Sequence, residues 1–222
     1  MTSTLGVIFD IDGTLVDSVD LHAQAWQEAF RHFGHAIPFN RIREQIGKGG
    51  DPLLPVFLPA EELGGLGADI ERFRSRIYKE RYLPRVRAFP GVRALFRRIA
   101  AAGAEIALAS SAKGEELAIY KRLAGIDDLL DAETSSDEVE RSKPHPDIFA
   151  AALRRLALPA EGVIAVGDTQ YDAQAAAKAG MRTIGLLCGG FPQAVLEQAG
   201  CIAVYRDPAD LLEQFKRSPL SS

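Results

Sequence analysis

Leu5-Gly6-Val7-Ile8-Phe9-Asp10-Ile11-Asp12-Gly13-Thr14-Leu15-Val16-Asp17 is the stretch that decides the fold. An apolar run long enough for a buried strand ends in two carboxylates one residue apart, then turns at Gly13. A carboxylate taken out of water without a partner is costly, so a core strand ending in two of them calls for a cation or a reaction. A pattern fixing Asp10, Asp12, Gly13, Thr14 and Asp17 arises by chance in only ~10⁻⁴ of chains of this length at average residue usage.

Outward from this strand, apolar runs alternate with helical periodicity, the pattern of a parallel sheet covered on both faces. Strands are expected at 6–10, 105–110, 163–167, 182–186 and 201–205, with a weaker one near 130–133. Helices are expected at 91–101, 113–124, 146–156, 170–179, 191–198 and 208–217, and residues 218–222 read as a frayed tail. From Val16 to about Pro84 the periodicity is helical with no strand. The expected division is therefore an α/β core of residues 1–15 and 85–222 and an inserted all-helical subdomain of residues 16–84.

Within the insert, Leu21, Ala25, Trp26, Ala29, Phe30 and Phe33 form the apolar stripe of a first helix that ends at Gly34. Further helices are expected at 40–46, 52–58 and 61–82, the last interrupted at Gly64-Gly65-Leu66-Gly67. Lys48, in a Gly-rich loop, and His22, on the first helix, are the candidates for substrate contact. Arg76 and Lys79 read as a solvated helix face.

With 222 residues, 47% hydrophobic and 25% charged, the composition is that of a globular protein and excludes collagen-like, disordered and disulfide-scaffold classes. A net charge of −4, with both signs interspersed, gives no field favouring nucleic acid or an anionic membrane. No apolar run approaches a bilayer span. Cys188 and Cys201 lack metal-ligand spacing, and no secretory signal opens the chain, so a cytoplasmic location is expected. Nothing in the sequence demands more than a monomer.

In a parallel α/β sheet, ligands bind beyond the carboxyl ends of the strands, where strand order reverses. Three strand ends here are polar: Asp10 and Asp12 after the first, Ser110 and Ser111 after the 105–110 run, and Gly167-Asp168-Thr169 with Asp172 after the 163–167 run. Lys143, bracketed in Ser142-Lys143-Pro144-His145-Pro146, joins them as a phosphate-binding cation. Asp10, ionised at neutral pH, can attack phosphorus without a base and form an aspartyl-phosphate. Asp12 is placed to protonate the leaving alkoxide and then to activate water. Oxygen ligands from Asp10, Asp168 and the Asp12 carbonyl suit a hard divalent cation, Mg²⁺. Ser110, Ser111 and Lys143 would neutralise the transferring phosphoryl group. Thr14 offers a hydroxyl to orient the loop, and Thr169 is the expected N-cap of the helix carrying Asp172.

Taken in order, Asp-Xaa-Asp-Gly-Thr-Xaa-Xaa-Asp, the strand-end Ser, Lys-Pro-Xaa-Pro and Gly-Asp-Xaa-Xaa-Xaa-Asp resemble the haloacid dehalogenase superfamily, in its phosphatase branch with a helical cap. The similarity extends to phosphoglycolate phosphatases and β-phosphoglucomutases. It implies a Rossmann-like sheet, Mg²⁺ dependence, an aspartyl-phosphate mechanism and a small phosphorylated metabolite as substrate. An acid/base Asp at position 12 argues against the dehalogenases and phosphonoacetaldehyde hydrolases. The alternative is a sugar phosphomutase, suggested by Asp17-Ser18 with His22 and by Ala107-Leu108-Ala109-Ser110. Those mutases usually carry Glu-Asp where this chain has Gly167-Asp168, which favours hydrolysis.

Overall fold

The computed structural model describes residues 5–221 and divides into two compact units. Ser18–Val86 forms one, and the segments on either side of it together form the other.

The flanking segments build a six-stranded parallel sheet. In chain order its strands are β1 (Gly6–Phe9), β4 (Glu105–Ala109), β5 (Ala132–Thr134), β6 (Val163–Gly167), β7 (Arg182–Leu186) and β8 (Cys201–Tyr205). Two short antiparallel strands, β2 (Val16–Asp17) and β3 (Arg87–Ala88), make a separate ladder. The sheet order is β5-β4-β1-β6-β7-β8, so β1 is central and the chain winds outward from it twice, once on each side. The strand-order reversal therefore falls at β1. Phe9 is level with Leu108 on one side and Val166 on the other, so the residues just past these three strands emerge together.

Period-two alternation divides β1 between the two faces of the sheet. Ile8 joins a core with Ala107, Ala165 and the residues Ile148, Phe149 and Ala152 of α7 (Asp147–Leu156). Phe9 stacks on Phe96 of α5 (Val92–Ala100), with ring centroids 4.7 Å apart. Both faces being covered, β1 reads as a continuous apolar run. Each large core side chain contributes about 2 kcal/mol by leaving water. Helices α6 (Gly114–Ala124), α8 (Gln170–Lys178), α9 (Gln193–Gln198) and α10 (Pro208–Glu213) complete the layers.

The Ser18–Val86 unit is helical: α1 (Val19–His32), α2 (Phe39–Arg43), α3 (Gly50–Phe57) and α4 (Ala60–Ile77), followed by a π-helical turn at Tyr78–Tyr82. Its core gathers Trp26, Phe30, Ile42, Leu53, Leu54 and Ile70.

Three expectations are corrected. No strand was expected from Val16 to about Pro84, yet Val16–Asp17 pairs with Arg87–Ala88; two residues are too short a run to show alternation. The glycines at 64, 65 and 67 do not interrupt α4, because Leu63, Leu66, Ile70 and Phe73 pack into the helical core and outweigh about 1 kcal/mol of propensity per glycine. The tail is not frayed through residue 221: Pro219–Ser221 forms a 3-10 turn, Leu220 is buried, and the Ser218 hydroxyl donates to the Phe215 carbonyl at 2.8 Å. Ser222 lies outside the described residues.

Candidate active site

Asp10 is the residue after β1, two positions beyond Ile8 and on the face that α7 covers. Its backbone N–H still donates to the Val166 carbonyl at 2.9 Å, so β6 holds the start of the loop in register. The chain then folds back at once. Thr14, Leu15 and Val16 all donate to the Ile11 carbonyl, and Gly13 adopts φ of +79°, a conformation an L side chain resists. Thr14 is thereby turned inward, where its hydroxyl donates to Asp168 Oδ1 at 2.9 Å and sits 3.4 Å from Asp10 Oδ2.

Asp168 follows β6, and Asp172 lies one turn into α8. Thr169 caps this helix as expected. Its hydroxyl accepts the Asp172 N–H at 3.1 Å and donates to Asp172 Oδ2 at 2.6 Å, a reciprocal box that locks the Asp172 rotamer. The other oxygen, Oδ1, faces Lys143 Nζ at 2.7 Å. Lys143 also donates to Asp10 Oδ1, and its ammonium lies 5.3 Å above the centroid of the Phe149 ring. The Lys143–Pro144 peptide is cis. Carboxylate oxygens of Asp10, Asp168 and Asp172 lie within 4.8 Å of one another, and all three residues are buried.

The electrostatics show what this cluster lacks. With its carboxylates ionised it carries three negative charges against the single ammonium of Lys143, a deficit of two positive charges. Burial accordingly lifts Asp10 to about 7; Lys143 pulls it down, and the charges of Asp172 and Asp12 push it up again. Asp168 is raised well above the carboxylate range, by burial first and then by Asp172 and Asp10. Burial pulls Lys143 down, but the two carboxylates it faces outweigh that and raise it. Asp168 Oδ2 is buried and accepts no hydrogen bond from the described residues. An orphaned carboxylate oxygen in an all-oxygen cluster short of two positive charges fits a hard divalent cation.

The remaining expected residues are placed as follows. Asp12 is half-buried beside Asp10, close enough to act on its charge. Ser110 is fully buried after β4, and its hydroxyl accepts the Ala112 N–H at 3.0 Å; Ser111 is half-buried. His22 and Lys48 belong to the helical unit. Lys48 donates to Gln45 Oε1 at 2.5 Å, and burial lowers its pKa. His22 is buried and stacks on Tyr78, with centroids 4.0 Å apart.

Two features escaped the sequence reading. Arg74 was not singled out beside Arg76 and Lys79, yet its guanidinium lies over the rings of Trp26 (5.3 Å) and Tyr78 (5.1 Å) and bonds to His22 Nδ1. Its spacing of four from both Ile70 and Tyr78 puts it on the buried stripe of α4, a signal that was available. Cys188, just past β7, was read only for metal spacing. Its thiol donates to the Gly13 carbonyl at 3.1 Å, and burial pushes its pKa up.

A doubly wound parallel sheet with a carboxylate and lysine centre at its strand-order reversal is the architecture of an α/β enzyme. The haloacid dehalogenase-like hydrolase family model matches residues 7–186, and the chain belongs to that family. A "Phosphorylated carbohydrates phosphatase" of Thermotoga maritima is 27% identical over 214 residues, covering 95% of this chain and 97% of that protein. A "Phosphoglycolate phosphatase" of Yersinia pestis is 33% identical over 188 residues, covering 83% of this chain and 81% of that one. Among solved structures, a hydrolase from Pseudomonas syringae superposes with a TM-score of 0.87 at 29% identity, over 96% of this chain and 98% of the other. The chain is thus an enzyme of a hydrolase family whose named relatives include phosphatases.

Proposed function

We propose that the chain is a Mg²⁺-dependent phosphatase of small phosphate monoesters, of the phosphoglycolate or sugar phosphate type, working through an aspartyl-phosphate on Asp10. The observation that carries this reading is the buried cluster of Asp10, Asp168 and Asp172 facing one Lys143 ammonium, with Asp12 two residues from the nucleophile.

In the first step an Asp10 carboxylate oxygen attacks phosphorus, and the bond from phosphorus to the ester oxygen breaks. Asp12, protonated at that moment, gives its proton to the departing alkoxide. In the second step Asp12, now a carboxylate, takes a proton from water as its oxygen attacks the same phosphorus. Asp10 leaves as a carboxylate and inorganic phosphate is released. Mg²⁺, held by Asp10, Asp168 and the Asp12 carbonyl, would offset the repulsion between these carboxylates and the phosphate dianion. Lys143 keeps Asp10 oriented and adds a positive charge, while Ser110 and Ser111 supply hydrogen bonds to the transferring group. Thr14 holds Asp10 and Asp168 in fixed relation, and Asp172 fixes Lys143.

Gly167 supports hydrolysis over the phosphomutase alternative. A Cβ there would lie 2.5 Å from Asp172 Cβ, so an acidic side chain cannot share this position with Asp172 as placed. The same reading makes residues 16–84 the cap that selects the substrate, with His22 and Lys48 contributing, and the remainder the catalytic core. It takes the protein as a cytoplasmic monomer, a location supported by the free thiols of Cys188 and Cys201. Among the described residues no helix is long and apolar enough to cross a membrane.

The test is a panel of phosphorylated metabolites assayed with and without Mg²⁺. At least one ester should release phosphate only with the metal, and His22→Ala and Lys48→Ala should change the ratio of kcat/KM between two esters. A hexose 1-phosphate converted to its 6-phosphate without net phosphate release would establish the mutase instead.

A further inference from the structure

The 3-10 turn Leu187–Gly189, directly after β7, touches the catalytic centre at two consecutive residues. Cys188 donates its thiol to the Gly13 carbonyl at 3.1 Å, with the Thr14 carbonyl 4.0 Å away. Gly189 packs so closely on Asp168 that a Cβ at that position would lie 1.7 Å from Asp168 Oδ2, the buried oxygen that accepts no hydrogen bond from the described residues.

The two contacts act on different strand-end loops. Gly13 carries the turn that swings Thr14 inward, and Thr14 bridges to Asp168 and Asp10. A shift of the Gly13–Thr14 backbone therefore moves the Thr14 hydroxyl and the adjacent Asp12 together. A side chain at position 189 would occupy the space into which Asp168 Oδ2 now projects. Half an ångström is enough to spoil a phosphoryl-transfer geometry, and such supports are built from neighbours that never touch substrate.

We propose that Cys188 and Gly189 are positioning residues for phosphoryl transfer: the Cys188 thiol pins the Asp12-Gly13-Thr14 loop, and the bare Gly189 backbone leaves the space that Asp168 Oδ2 occupies, so that Asp168 keeps its place in the carboxylate cluster that would hold the divalent cation. This deepens the phosphatase reading and rests on it. Cys188 acts here as a hydrogen-bond donor to a catalytic loop, not as a nucleophile or metal ligand. Its place can be taken by another donor of similar size and not by an isosteric hydrocarbon.

The experiment compares wild type with Cys188→Ser, Cys188→Ala and Gly189→Ala in two assays. One is Mg²⁺-dependent hydrolysis of p-nitrophenyl phosphate; the other is thermal shift on Mg²⁺ titration without substrate. Cys188→Ala is expected to lower kcat about fivefold with KM unchanged, the weight of one weak hydrogen bond, and Cys188→Ser to stay within about twofold of wild type. Gly189→Ala is expected to raise the Mg²⁺ midpoint of the thermal shift about tenfold, as lost support around a metal ligand does. If Cys188→Ala does not fold, Cys188→Val, which restores volume without a donor, takes its place.

Equal kcat in the Ala and wild-type enzymes, or an equal loss in Ser and Ala, overturns the role of Cys188. An unchanged Mg²⁺ midpoint in Gly189→Ala overturns that of Gly189. Absence of phosphate release by wild type itself strikes the phosphatase reading, and the thermal shift of Gly189→Ala still decides whether the turn shapes a cation site.

Discussion

Both units of this chain bury a basic side chain, and they do so in opposite ways. At the strand ends, the Lys143 ammonium faces two carboxylates with a third nearby, and every group is almost wholly out of water. In the helical unit, the Arg74 guanidinium lies half-buried over two aromatic rings and bonds to an imidazole. The second arrangement is ordinary amphipathic packing, in which a flat cation covers ring faces. The first is a poor way to stabilise a protein, since desolvated charges of one sign outnumber the other. Such an arrangement fits a cation that would complete it.

The sharpest way to break this comparison is to replace both cations by methionine. Lys143→Met should cost about 3 kcal/mol in a urea or thermal melt and abolish turnover, because it strands two buried carboxylates. Arg74→Met should cost only about 1 kcal/mol, since the thioether keeps the packing on Trp26 and Tyr78. Equal losses would erase the distinction.

The next largest effect has the opposite sign. Asp168 is held well above its ordinary range by burial and like charge, so at neutral pH without metal its ionised form costs stability. Asp168→Asn should therefore raise the metal-free Tm by roughly 2–4 °C, the equivalent of about 1 kcal/mol at this size. It should also remove the stabilisation by Mg²⁺ that the proposed function requires of wild type, about 2.7 kcal/mol at a hundredfold excess over Kd. A drop in metal-free Tm would mean that the carboxylate is a structural asset.

Smaller effects test the ordinary parts of each unit. Gly65, in the middle of α4 with nothing within 4 Å of a Cβ, should gain about 0.5–1 kcal/mol as Gly65→Ala, measured by urea melt. The smallest concerns acid. Asp210 accepts from the Arg206 guanidinium and backbone N–H, both at 2.9 Å, which holds it down to about 2. Its contribution is full above the ordinary carboxylate range and fades as pH falls from about 4 through about 2. Asp210→Asn should flatten the Tm against pH curve in that window alone.

The same contrast explains what was legible in the sequence. Asp10, Asp168 and Lys143 are far apart in the chain, but each sits at a sharp transition, a strand end or a proline bracket, and sheet topology then determines where they meet. β1, β4 and β6 were readable because buried parallel strands are mostly apolar runs, whereas β5, Ala-Glu-Thr at the sheet edge, gave only a weak signal. β2 was not, being two residues long. Gly64 and Gly65 misled because single-residue propensity says nothing of the Leu63, Leu66 and Ile70 face that decides α4. Arg74 and Cys188 were passed over because neither lies in a motif. Helical spacing places Arg74 on the buried stripe, but its contacts with Trp26 and Tyr78, like that of Cys188 with the Gly13 carbonyl, come from tertiary structure.

The central claim is that the buried cluster exists to let Asp10 take up a phosphoryl group. The most direct measurement is to quench the enzyme in acid during turnover of a phosphate ester with Mg²⁺, reduce with borohydride and map the modified residue by mass spectrometry. The account predicts reduction of the acyl phosphate at Asp10 to homoserine, absent without substrate, with Asp10→Asn releasing phosphate at least roughly 10³-fold more slowly. Undiminished turnover by Asp10→Asn, with no modification at position 10 in the wild type, would contradict it.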